Sequence, residues 1–308
     1  MSSACHSGPV SASSASRTCW AESCTDGFLV LHRGTIVAEH YFNGLTPDAP
    51  HLLMSISKSM TSAVAGVLAG SGALPVSARV EDVVPELRGT SFEGATVQDL
   101  LDMRAGTRFD EDYDNPAADV RTYERVYLWR PDDGQPRPQG ALGYFATLAN
   151  DGPHGGPFRY RSILTDVLAW VIERAAGDRL HRLIARELWQ PMGAEFDAEI
   201  TVDAHGNPMA DGGICATLRD LARFGQLFQQ HGRAAGRVVV PPAGSTTPSG
   251  APRTARRHSP AKATRPATRQ TPTTATAGGS GTRGCRSSTP PASTGSTSSC
   301  TCRRRRWS

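Results

Sequence analysis

An α+β fold, in which an antiparallel sheet is packed by helices, is what the sequence predicts, and three observations predict it. Two apolar runs around a glycine turn open the patterned part of the chain and read as a hairpin. Several helical stretches follow, separated by polar, Gly- and Pro-rich loops. The pattern then stops near residue 242. All 29 Asp+Glu lie before that point, beside 21 of the 33 Lys+Arg, whereas residues 243–308 hold 12 cations, no acid and almost no large apolar residue. A Ser/Thr/Pro/Arg-rich stretch of that kind cannot bury enough surface to offset chain entropy. The expected division is a loose Ser/Ala/Cys-rich arm over 1–25, one domain over 26–242 and a disordered basic tail over 243–308.

In DGFLVLHRGTIVAEHYF the two apolar runs flank Arg33-Gly34, with glycine supplying the turn. Beyond the polar loop NGLTPDAPH, Met60, Val64, Val67 and Leu68 fall on one helical face, and Gly70 and Gly72 close the helix. GATVQDLLDMRAG predicts a second helix, capped at Thr96 and closed at Gly106. Residues 107–160 read as loop-dominated. SILTDVLAWVIERAAG predicts a helix near 162–176, with Trp170 in its apolar pattern. LHRLIARELWQPMG predicts another, stopped by Pro191, with Trp189 in the core. Thr217, three residues before Asp220, caps a last helix that runs to Gly232.

One residue stands out chemically. Of the 33 Lys+Arg, only Lys58 and Lys262 are lysines. A guanidinium stays protonated, whereas a buried lysine can lose its proton and act as a base. Ser55-Ile56-Ser57-Lys58 fits S-x-x-K. With Ser55 at the mouth of the helix, Lys58 follows one turn later on the same face. The helix N-terminus adds partial positive charge and N–H donors for a developing oxyanion. The spacing therefore allows a nucleophilic serine activated by a lysine whose pKa burial depresses. A capping serine and a solvated lysine fit the same four residues.

Further stretches carry a resemblance. Serine β-lactamases of class C and the related penicillin-binding proteins pair S-x-x-K with a downstream Y-x-N element, and Tyr160-Arg161-Ser162 is similar to it, with serine in place of asparagine. DGFLVLHRGTIVAEHYFNG, LLMSISKSMTSAVAGVLAGSG, GATVQDLLDMRAGTRFDEDYDNPAADVR and DGGICATLRDLARFG resemble the 6-aminohexanoate-dimer hydrolase branch of that family, from about Asp26 to Val240. The resemblance implies a β-lactamase/transpeptidase-like fold with a helical subdomain. It implies an acylated nucleophile at Ser55 and a proton-shuttling pair in Lys58 and Tyr160. It also implies substrate contacts from Tyr113, Glu111 and Ser162, although a packed loop aromatic and a solvated acid remain open at Tyr113 and Glu111. The implied activity is hydrolysis of linear amides of the 6-aminohexanoate-dimer type or small esters. A carboxylesterase, a D-aminopeptidase or a catalytically dead relative stand as alternatives.

Members of that family finish their sheet with C-terminal strands carrying a third motif, and nothing after VVVPPAG resembles them. A change of reading frame near Pro242–Ser245 accounts for this. Shifted by one frame, Ser280–Arg283 can spell Trp-Asn-Gln and Pro291–Ser296 can spell Gly-Ile-His-Gly-Gln, both similar to family stretches and in family order. The domain is thus expected to lack its last strands. Taken at face value, the tail is instead a basic arm for nucleic acid or an anionic membrane; the frame change is the preferred reading, so neither partner is expected.

The seven cysteines show no ligand spacing with histidine, nor do His32, His40 and His51, so no metal and no cofactor are expected. The odd cysteine count points to free thiols, with a small buried thiol at Cys215, and to a cytoplasmic setting. No apolar run approaches a membrane span. Gly212-Gly213 reads as close backbone approach near the site or as a plain turn. A small amide or ester is the expected partner; the oligomeric state is not readable from the sequence.

Overall fold

The computed structural model describes residues 20, 22–131, 134, 138–242 and, for the backbone, 304–307. Strands β1 (Gly27–His32) and β2 (Thr35–Tyr41) form the expected antiparallel hairpin. Arg33 and Gly34 both turn through positive φ, 51° and 81°, the geometry of a tight two-residue hairpin turn. Ahead of β1, Trp20 stacks on Phe28 with ring centroids 4.9 Å apart.

A second sheet runs in the order β3-β5-β4-β8, all antiparallel, from β3 (His51–Leu52), β4 (Ala198–Thr201), β5 (Ile214–Ala216) and β8 (Arg304–Trp307). The short strands β6 (Arg233–Ala234) and β7 (Arg237–Val238) pair with each other. The backbone of β8 lies beside β4. The rest of the region assigned to a frame change, 243–303, lies outside the described residues, as do Cys5, Cys19, Cys285, Cys300 and Cys302.

Eight helices are described: α1 (Ile56–Gly70), α2 (Val80–Val83), α3 (Val97–Leu101), α4 (Asp119–Val126), α5 (Gly140–Ala146), α6 (Ile163–Ala176), α7 (Leu180–Ile184) and α8 (Leu218–Gln229). In α6 every residue from Ile163 to Ile172 is buried, Thr165 and Asp166 included, so this helix is enclosed all round and forms the centre of the core. It packs against α1, α2 and α3. Gly177 ends it in the left-handed conformation, φ 63°, as a helix-terminating glycine does. Trp170 and Trp189 are both in the core.

Several expectations need correction. Residues 107–160, mostly loop as expected, also hold two short helices that the pattern does not predict, α4 and α5, because Val120, Tyr123 and Val126 reach the core from one and Ala141, Tyr144 and Phe145 from the other. The helix capped by the Thr96–Asp99 box stops at Leu101, five residues short of Gly106, and Met103 takes φ 56°. Gly106 serves a different purpose: a Cβ there would stand 2.0 Å from the Gly152 carbonyl oxygen. The helix at 180–190 is α only through Ile184 and widens to a π turn over Ala185–Trp189. Cys24 is disulfide-bonded, against the expectation of free thiols, while Cys215 is the buried thiol expected. Among the described residues no helix is long and apolar enough to cross a membrane.

Candidate active site

Strand β3, one residue in the left-handed region and helix α1 bring Ser55 to its place. Leu53 N–H donates to the Ile214 carbonyl at 2.8 Å, which holds the end of β3 against β5. Met54 then takes φ 47°, a costly conformation for a long side chain, and reverses the backbone directly before Ser55. Ser55 is the N-cap position of α1 and is exposed, whereas Lys58 is buried one turn below.

The distances join three predicted residues. Lys58 Nζ donates to Ser55 Oγ at 3.1 Å, and Ser55 Oγ lies 2.8 Å from the Tyr160 hydroxyl. Lys58 Nζ also stands 5.1 Å from the centre of the Tyr160 ring. Its remaining donors go to the Asp211 carbonyl at 3.0 Å and to Asp211 Oδ2 at 3.5 Å.

That environment overturns one expectation about Lys58. Burial alone pushes its ammonium toward deprotonation, but the Asp211 carboxylate, then Tyr160, more than reverse this, and its pKa lies above the ordinary lysine value. Lys58 is therefore an ammonium donor rather than a depressed base. An expectation built on burial alone has no means of including a carboxylate 153 positions away.

The segment 210–214 runs beneath α1 and is stitched to it by three polar side chains of the first turns. Ile214 N–H donates to Ser57 Oγ at 3.1 Å, Lys58 to Asp211, and Thr61 Oγ1 to the Ala210 carbonyl at 3.1 Å. From the other side, Asp166 on α6 accepts the N–H groups of Ala210 and Asp211. Gly213 has no room for a side chain, since a Cβ would meet Thr201 Oγ1 at 2.1 Å and the Met209 carbonyl oxygen at 2.7 Å. Close backbone approach, not a plain turn, explains that glycine.

Tyr160 is half-exposed, and its neighbours hold it. The buried Arg161 donates to the Ala105 carbonyl at 3.1 Å, and Arg159 N–H donates to the Met103 carbonyl at 3.1 Å. Ser162 gives its N–H to Glu111 Oε2 at 2.8 Å and its hydroxyl to Glu111 Oε1 at 2.5 Å. The same carboxylate accepts the Tyr113 hydroxyl at 3.0 Å. Burial, then the charge of Glu111, raises the pKa of that phenol, so Tyr113 is a neutral donor on the exposed rim. Glu111 thus joins the Tyr113 loop to the residues after Tyr160.

Sequence reasoning missed Asp211, Asp166 and Tyr123. Asp211 begins the stretch DGGICATLRDLARFG, in which the glycines, Cys215 and the Thr217–Asp220 cap carry local signals and Asp211 carries none. Among the described residues no cluster of His, Cys, Asp and Glu could hold a metal.

Comparison with known proteins places this arrangement. A protein-family model described as Beta-lactamase matches residues 25–289. The chain belongs to the beta-lactamase family. Within the family, it is 42% identical over 220 residues to the 6-aminohexanoate-dimer hydrolase of Paenarthrobacter ureafaciens, a match covering 71% of this chain and 55% of that protein. The chain thus spans about half the length of this curated relative. A structure from Bacillus anthracis, provisionally named a 6-aminohexanoate-dimer hydrolase, superposes with a TM-score of 0.68 at 30% identity, over 73% of this chain and 59% of the other. The octameric penicillin-binding protein homologue from Pyrococcus abyssi shares the fold at a TM-score of 0.56 and 18% identity, over 72% of this chain and 55% of its own. The expected family and the β-lactamase/transpeptidase-like fold, antiparallel strands with helices, are both found.

Proposed function

We propose that the chain is a serine hydrolase that cleaves linear amides of the 6-aminohexanoate-dimer type, or small esters, through an acyl-enzyme on Ser55. The observation that carries this reading is the contiguity of three groups: Lys58 Nζ at 3.1 Å and the Tyr160 oxygen at 2.8 Å from one serine hydroxyl.

In the proposed reaction the Tyr160 oxygen, as general base, takes the Ser55 proton as Oγ attacks the substrate carbonyl carbon. The Lys58 ammonium stabilises the charge passing between the two oxygens. The carbonyl π pair moves onto oxygen, and the positive end of the α1 dipole favours that developing charge, while the N–H groups of Ile56, Ser57 and Lys58 are engaged by the Leu53, Met54 and Ser55 carbonyls. Collapse of the tetrahedral intermediate breaks the C–N bond, and Tyr160 returns its proton to the leaving nitrogen. Water then attacks the ester on Ser55, again giving a proton to Tyr160, and the acid is released as the proton returns to Ser55 Oγ. The Tyr113 hydroxyl contacts the scissile amide from the rim. Glu111 and Ser162 serve substrate binding by holding Tyr113 and the Tyr160 segment.

Assays with 6-aminohexanoate dimer, short p-nitrophenyl esters and a nitrocefin-type lactam separate the substrate classes. Turnover of dimer or ester, lost in Ser55→Ala, supports the reading. Turnover of the lactam in preference to both points to a β-lactamase. Turnover unchanged in Ser55→Ala excludes the mechanism.

A further inference from the structure

Beneath Lys58 lies a set of buried ionisable side chains that the acylation chemistry does not use. Tyr123 on α4 stands between two carboxyl groups: its hydroxyl meets Asp166 Oδ2 from α6 and, at 2.5 Å, Asp211 Oδ1 from the segment under α1. All three residues are buried. A phenol owns one hydrogen and a carboxylate owns none. Two short oxygen–oxygen contacts in a row need two hydrogens, so one of the two carboxyl groups must carry a proton.

The partners of each carboxyl decide which one. Asp211 faces the Lys58 ammonium, 3.5 Å from Nζ to Oδ2. Asp166 makes no ion pair among the described residues, and its Oδ1 already accepts Ala210 N–H at 2.7 Å and Asp211 N–H at 3.2 Å. The second hydrogen therefore belongs on Asp166 Oδ2. We propose that Asp166 is held as a neutral carboxylic acid that donates to Tyr123, which in turn donates to Asp211. The chain of three then presents one negative charge to Lys58, and Tyr123 and Asp166 are positioning residues for the Ser55 site.

The electrostatics agree with this assignment. Burial, then repulsion from Asp211, holds Asp166 far above the usual carboxylate range. Burial also raises Asp211, and Lys58 and Tyr123 pull it only part of the way back, so it stays above the ordinary aspartate value. Other ionisable groups nearby have partners of their own. Glu111 is held by Ser162 and Tyr113, Tyr127 donates to the Pro208 carbonyl, Asp203 accepts the Ala141 and Asn207 N–H groups, and Glu173 accepts Leu180 N–H and pairs with Arg179. Two ionised carboxylates would leave Lys58 with one uncompensated negative charge beside it, and two neutral ones would leave the ammonium buried without a counter-ion, each an expensive state.

The link to activity rests on the proposed role of Lys58 beside Ser55, but infrared difference spectroscopy of the full chain near neutral pH needs no turnover. Wild type minus Asp166→Asn is expected to contain the carbonyl stretch of a protonated carboxyl group, shifted in D2O. Asparagine keeps the shape and still donates to Tyr123. Absence of that band overturns the assignment. In Tyr123→Phe, Asp211 loses a donor, and the acid limb of the pH profile for Ser55 phosphonylation should rise by about one pH unit, a roughly tenfold lower rate on that side. A loss of equal size at every pH overturns the positioning role. The infrared band is readable even if no substrate is turned over, so failure of the proton chain and failure of the proposed activity are distinguishable.

Discussion

The Ser55 Oγ and the Tyr160 hydroxyl are 2.8 Å apart although 105 positions separate them in the chain. The contact forms because β3 and Met54 deliver Ser55 to the head of α1, while Arg161 and Ser162 tie the segment around Tyr160 to Ala105 and Glu111. Tyr160→Phe keeps the ring over Lys58 and removes the proton acceptor. The acylation rate should fall by about 10²–10⁴-fold, the usual contribution of a positioned acid–base group, with little change in stability. Single-turnover kinetics with a p-nitrophenyl ester measures it.

Lys58→Met removes the cation and leaves Asp211 buried without it. Breaking a buried pair in this way costs about 3–5 kcal/mol, to be read from urea unfolding. The pH dependence has a definite sign. The pKa of Lys58 is raised in the folded chain, so its contribution is complete below the ordinary lysine value and is lost as pH climbs through the raised one. Wild type should therefore lose stability in the alkaline range relative to Lys58→Met.

Two glycines provide an internally controlled pair. Gly213→Ala places a Cβ against Thr201 Oγ1 and the Met209 backbone, and should cost about 1–3 kcal/mol and disturb Asp211. Gly225, on the exposed side of α8, has nothing within 4 Å of a built Cβ. Gly225→Ala should stabilise the chain by about 0.5–1 kcal/mol, because alanine loses less backbone entropy in a helix. Thermal unfolding of both variants checks the contrast.

The hairpin is tied to α8 by Arg219, whose Nε and Nη2 reach Glu39 Oε1 and Oε2 at 2.7 and 3.0 Å. Those hydrogen bonds hold the Glu39 carboxyl below the usual range despite its partial burial. Its contribution is thus present above the ordinary glutamate value and fades as pH falls through the lowered one. Partial exposure limits the pair to about 1 kcal/mol. Denaturation curves at pH 7 and pH 3 should show a larger acid-induced loss for wild type than for Glu39→Gln.

How much of this was legible follows from the range of each interaction. Ser55 and Lys58 were readable because one helical turn joins them, and the Thr96 and Thr217 caps because each closes within three residues. Tyr160 came from resemblance, not from spacing. The state of Lys58 was not readable, since it depends on Asp211, 153 positions on, and through it on Tyr123 and Asp166. Helices α4 and α5 were missed because they are short and lie among Gly, Pro and Asp, so their core contacts decide them rather than local pattern.

Peptide mapping by mass spectrometry after reaction with a fluorophosphonate tests the central claim most directly. The account predicts one adduct, on Ser55, that disappears in Ser55→Ala and forms far more slowly in Tyr160→Phe. An unlabelled Ser55, or labelling at a rate indifferent to Tyr160, would contradict it.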